Sequence, residues 1–147
     1  MDKMKIFKAA ITAIITGFAE VFGWKGVLAV IWFLAMIIDY ITGSVSAAYN
    51  GEWSSKVARK GIFHKVGMVA VIIVSMLADV SISITFENLK ISFPWNGYIF
   101  PLVITWYIIT ELGSILENAI KMGANVPEWL VKMLKVSLKS IEEKVSD

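Results

Sequence analysis

The sequence predicts an all-α integral membrane protein with three to four transmembrane helices and a C-terminal amphipathic helix. Three observations lead there. Hydrophobic residues make up 57% of the 147 and mean hydropathy is +0.70, which is outside the range of soluble domains of this length. The apolar residues gather in four stretches bounded by charges or turn residues. Beyond residue 120 the pattern becomes that of a polar, amphipathic helix. Open strands cannot satisfy their backbone groups in lipid, so the apolar stretches are predicted to be helices.

The first stretch, 9–24, follows Lys8 and holds Glu20 near its end. Its 16 residues would rise only about 24 Å against a hydrocarbon core of ~30 Å. The second, 26–49, carries Asp39 as its only charge and is the strongest span. Residues 66–84 carry Asp79 alone, and 97–117 hold Glu111 inside and Glu117 at the end. Each of these three exceeds or approaches the roughly 20 helical residues that a crossing needs.

Charge sets the expected topology. Residues 50–65 hold Lys56, Arg59, Lys60 and Lys65 against Glu52, a net of +3, which predicts a cytoplasmic loop. Residues 85–96 carry only Glu87 and Lys90 and end in Phe93, Pro94 and Trp95 beside Tyr98, as an outer aromatic belt would. Lys3, Lys5 and Lys8 against Asp2 make the N-terminus basic, so the same rule places it inside. That requires 9–24 to cross and to turn at Trp24, Lys25 and Gly26, giving four spans; the shortness of 9–24 favours three, with an interfacial first helix. Three lysines before an apolar run, with Gly17-Phe18-Ala19, also resemble a secretory signal, but the apolar character resumes directly after Glu20.

Residues 1–120 read as the transmembrane domain and 121–147 as a cytoplasmic amphipathic tail. Asn125, Val126 and Pro127 mark a helix start. Trp129, Leu130, Met133, Leu134, Leu138 and Ile141 then recur at helical spacing, with Lys132, Lys135 and Lys139 on the other face. That pattern suits either contact with an anionic leaflet through the lysines or packing on the protein's own helices.

A carboxylate inside an apolar span costs a few kcal/mol even on lenient insertion scales, so Asp39, Asp79 and Glu111 must face protein, water or a cation. Their spacing agrees. Ala35, Asp39, Gly43 and Ala47 share one face, Ser75, Asp79 and Ser83 a second, and Tyr107, Glu111, Ser114 and Asn118 a third. Such faces can line an aqueous path or the seams of an oligomer, with Gly43 and Ala47 as a small-residue contact. Alternatively, the acids sit at a headgroup boundary or pair internally with lysines, Asp79 above all.

Other classes find little in the residues. Cysteine is absent and His64, expected in a loop, is the one histidine, which leaves no thiolate or multi-histidine metal site and no cofactor site. No phosphate loop, nucleophile elbow or metalloprotease motif is present, so an enzyme is not expected. Cations scattered between apolar runs, with a net charge of +2, do not suit nucleic acid.

Asp39-Tyr40-Ile41-Thr42-Gly43, followed by Ser54-Ser55-Lys56, Lys60-Gly61 and Lys65, resembles the toxin secretion/phage lysis holin family. Glu111-Leu112, Ser114-Ile115-Leu116-Glu117-Asn118, Gly123 and Pro127 resemble that family's C-terminal signature, so the likeness runs from about Trp24 to Leu134. It implies a homo-oligomeric pore former of the bacterial cytoplasmic membrane that contacts lipid. A cell-wall hydrolase or a toxin would pass through as cargo. A small proton-coupled transporter is the competing class, and a passive membrane adaptor a third.

Overall fold

The computed structural model describes residues 2–146. Four helices follow in order: α1 (Lys3–Tyr49), α2 (Ser55–Asn88), α3 (Ile99–Lys121) and α4 (Glu128–Ser146).

Local chemistry sets the boundaries. Asp2 caps α1, its side chain accepting from the Met4 N–H. The break expected at Trp24, Lys25 and Gly26 falls one residue earlier: α1 is two helices joined across a kink at Gly23 (φ 62°, ψ −156°), and these three residues begin the second. Glycine at position 23 supplies the positive φ that Trp24 and Lys25 would adopt only with strain.

Gly51 at φ 71° reverses the chain, and the Ser54 hydroxyl accepts from the Val57 N–H to start α2. The expected 50–65 loop therefore shrinks to residues 50–54. Arg59, Lys60, His64 and Lys65 are helical, because nothing after Ser54 except the tolerated Gly61 opposes a helix.

Among the described residues, three segments are long and apolar enough to cross a membrane: Gly23–Tyr49, Ser55–Asn88 and Ile99–Lys121. The segment before Gly23 is not among them. Of the two counts the sequence allowed, length and composition support three.

α3 packs against each of the other helices, most extensively against α1, whereas α1 and α2 barely touch. The core is Trp32 and Met36 of α1, Met68 and Ile72 of α2, and Phe100, Ile104 and Ile108 of α3. Outside it, large side chains such as Phe33, Ile41, Ile73, Val74 and Leu77 are exposed, as expected where lipid is the solvent.

Gly123 (φ 88°) turns the chain from α3 into α4, which begins directly after Pro127 and packs on α3. The apolar face expected of α4 divides in two. Leu130, Leu134 and Ile141 are half-buried, while Trp129, Met133 and Val136 are exposed beside Lys132, Lys135 and Lys139. The Leu138 side chain lies outside the described residues.

Candidate functional site

Two polar clusters stand at opposite ends of the three-helix core. The first joins all three apolar helices. Asp39 lies on α1, Lys65 on α2 and Glu111 on α3. The Lys65 ammonium sits 2.8 Å from Asp39 Oδ2 and also hydrogen-bonds Glu111 Oε2. Glu111 is almost fully enclosed, with 4% of its side chain exposed, against 18% for Asp39 and 17% for Lys65.

Asn118, two turns beyond Glu111 on α3, completes the arrangement. Its Nδ2 donates to Asp39 Oδ1 at 3.1 Å and to Thr42 Oγ1 at 3.2 Å. Thr42 in turn donates to the carbonyls of Ile38 and Asp39. Gly43 borders the cluster, and a methyl group there would rest in ordinary contact, 3.4 Å from Asn118 Nδ2. Every charge in this cluster has a hydrogen-bonded partner, as burial in an apolar bundle demands.

A cleft of about 290 Å³ opens beside the cluster and is lined by Asp39, Gly43, Ala47, Lys65, Ser114 and Asn118, among others. The structure thus gathers five of the residues singled out from the sequence, Asp39, Gly43, Ala47, Ser114 and Asn118, around one cleft. Glu111 reaches the same place through Lys65. These contacts all lie within one chain.

Asp79 stands apart, fourteen residues from Lys65 on α2, about 21 Å along the helix axis. It caps α3 from outside that helix. Its Oδ1 accepts from Ile99 N–H at 3.0 Å and its Oδ2 from Phe100 N–H at 2.8 Å. Pro101 has no N–H to satisfy, and Leu102 N–H donates to the Tyr98 carbonyl, so the first turn of α3 has no orphan donor. The negative charge also suits the positive end of the helix dipole.

Lys25 closes this end by donating to the Asn96 carbonyl at 2.7 Å. Gly97 sits between, at φ 70°, where a methyl group would lie 2.6 Å from Lys25 Nζ and 3.4 Å from Asp79. Phe93, Trp95 and Tyr98, the rings expected to form an aromatic belt, are joined here by Phe86 in a chain of ring contacts with centroids 5.4–6.3 Å apart. Lys132, Lys135 and Lys139 lie on the exposed face of α4, away from both clusters in sequence.

Lys65 is the residue that sequence reasoning misplaced, because it was assigned to the loop. Its signal was present: Lys65, Met68, Ile72, Ser75 and Asp79 recur at steps of three and four, and the last four are the buried residues of α2. Thr42 and Lys25 gave no comparable signal.

Comparison with known proteins agrees with the motif reading. The family described as the bacteriophage holin family matches residues 16–139. An uncharacterised protein of Halalkalibacterium halodurans is 31% identical over 98% of this chain and 100% of its own length. One from Listeria innocua is 31% identical over 83% of this chain and 82% of its own. An uncharacterised 14.9 kDa protein of the nagH 3′ region of Clostridium perfringens is 28% identical over 87% and 89%. No solved structure matches significantly.

Proposed function

This chain belongs to the bacteriophage holin family, and from that premise we propose that it oligomerises in the bacterial cytoplasmic membrane and permeabilises it. A cell-wall hydrolase, or a toxin, then passes as cargo. Its three apolar helices and family make it a multi-pass membrane protein in contact with lipid. The net +3 of residues 50–65 favours a cytoplasmic α1–α2 end and, with α3 returning to that side, a cytoplasmic α4.

The observation that carries this reading is the Lys65–Asp39–Glu111 cluster. In the single chain, the polar stripes of α1 and α3 and Lys65 of α2 satisfy one another away from lipid. Because α1 and α2 barely touch, Lys65 is a main tie between them. Parting them would turn Asp39, Gly43, Ala47, Glu111, Ser114 and Asn118 toward water. A carboxylate facing lipid is costly, so the parted form gains only where neighbouring copies enclose the stripes around water. Subunit concentration then drives the change by mass action.

The test is expression in bacteria with a co-expressed cell-wall hydrolase, following membrane potential and hydrolase release together. Abrupt, complete loss of potential with simultaneous release is expected. Intact potential with graded resistance to a dye would replace the pore by a transporter.

A further inference from the structure

A groove of about 310 Å³ lies between α1 and α2, with no α3 residue in its lining. Its walls are apolar: Met36, Ile37 and Ile41 from α1, and Ile62, Val66 and Val69 from α2. All but Met36 are exposed, so the groove opens toward lipid. Lys65 also borders it, but its ammonium is engaged by Asp39 and Glu111.

One end of this groove is cationic. Arg59, Ile62, Val66 and Val69 follow one another at steps of three and four along α2, so Arg59 continues the α2 wall by one turn. Lys56 and Lys60 flank it, all three are exposed, and Glu52 is the only acid in residues 50–65. Arg59 lies twenty residues from Asp79 on the same helix, about 30 Å, which is the thickness of a hydrocarbon core. Asp79 stands at the level of Lys25, Asn96 and the Trp95–Tyr98 ring pair. Arg59 therefore falls at the opposite headgroup level.

We propose that this groove is a binding site for an anionic phospholipid, with one acyl chain against Ile37, Ile41, Ile62, Val66 and Val69 and the phosphate held by Arg59 and Lys56. One turn of a helix about 10 Å across takes up more than the groove's volume of about 310 Å³, whereas part of a single acyl chain fits it. The cations at the mouth select a net negative headgroup. The site does not depend on pore formation.

Native mass spectrometry of the full chain in detergent, with phosphatidylglycerol and phosphatidylcholine at equal concentration, tests this directly. One phosphatidylglycerol is expected to be retained in preference. Arg59→Gln, at an exposed helical position that does not threaten folding, should lower that retention about fivefold. Val66→Trp, which fills the groove, should abolish retention of either lipid, and Lys90→Asn at the far end should change nothing. Equal retention of the two lipids, or no effect of Arg59→Gln, overturns the proposal. So does retention of free glycerol phosphate in place of lipid, which would mark an anion site. A dimer that Val66→Trp disrupts, with no lipid bound to the native chain, would make the groove a subunit contact and also overturn it.

Discussion

The Lys65 ammonium nitrogen stands 2.8 Å from Asp39 Oδ2 while also bonding Glu111, so one cation on α2 holds a carboxylate from each of the other two membrane helices. The three charges together carry a net −1, and Asn118 supplies a further donor to Asp39. Removing such charges from water costs several kcal/mol per ion, which good geometry only repays. A cluster of this kind is thus poor evidence for stability. It fits better as a register device whose components must part together.

Lys65→Met should be the most damaging single change in the cluster, because it leaves two enclosed carboxylates facing each other without a cation. Breaking a buried pair in this way costs ~3–5 kcal/mol. Reduced accumulation in the membrane and a lower melting temperature in detergent are the expected readouts. Combining Lys65→Met with Asp39→Asn and Glu111→Gln should restore most of the loss. If Lys65→Met alone melts like the native chain, the cluster is not structural.

Glu111→Gln keeps shape and hydrogen-bonding capacity but leaves Lys65 paired only with Asp39. The tie between α2 and α3 weakens, and this loss of a charge-assisted bond outweighs the smaller desolvation cost of the closed form. Killing is expected earlier than in the native chain at equal protein level, as judged from membrane-potential traces beside immunoblots. Unchanged timing would exclude a gating role for Glu111.

At the other end, Asp79→Ala removes the acceptor for Ile99 and Phe100 N–H and should cost ~1–2 kcal/mol, as loss of a helix cap does. Hydrogen exchange should rise at residues 99–100 and stay unchanged around Glu111. Gly97→Ala should produce the same local fraying through backbone strain and the 2.6 Å approach to Lys25. Fraying that spreads through α3 to Asn118 would show that the two clusters are coupled.

Much of this was legible in the sequence. Runs of apolar residues long enough to cross, each interrupted by one acid, announced the helices, and steps of three and four placed Asp39, Gly43, Ala47, Ser114 and Asn118 on faces that meet. Periodicity says which residues share a face but not which faces meet, so the union of Asp39 with Asn118 needed the fold. Lys65 escaped because charge was used to mark the end of a span, whereas the helix continues past it to Ser54. Asp79 was read as a boundary or lysine-paired acid; its partners are backbone N–H groups of another helix, which no side-chain pattern encodes. The break near Trp24 was placed one residue late for a related reason, since the demand for it came from the positive-inside rule and not from the conformational freedom of Gly23.

That conflict makes the segment before Gly23 the place to look for movement. With three spans and a cytoplasmic α1–α2 end, residue 23 lies at the outer face, so Lys3, Lys5 and Lys8 would lie outside, against the charge rule. Crossing resolves the charge but strains the length, as only 14 residues separate Lys8 from Gly23. Met4, Ile6, Phe7 and Ile14 are exposed on this segment, so it gains by burial in lipid whether it lies on the bilayer or crosses it. Gly23 permits either, because φ 62°, ψ −156° is a conformation essentially confined to glycine. A methyl group there would meet nothing within 4 Å, so Gly23→Ala acts through the backbone alone. Alanine should draw the residue into the helix and straighten α1 to 47 residues, about 70 Å, more than twice the hydrocarbon thickness. Such a rod cannot fold its N-terminal part onto or back into the bilayer, and we expect killing to be delayed or lost while membrane insertion persists. Because the chain has no cysteine, Met4→Cys with a membrane-impermeant thiol reagent reports the side of the N-terminus before and after the onset of killing. The native hinge should give a change of side at onset, and Gly23→Ala should give none. Labelling from one side throughout in both chains would eliminate a moving segment and leave Gly23 as a fixed bend.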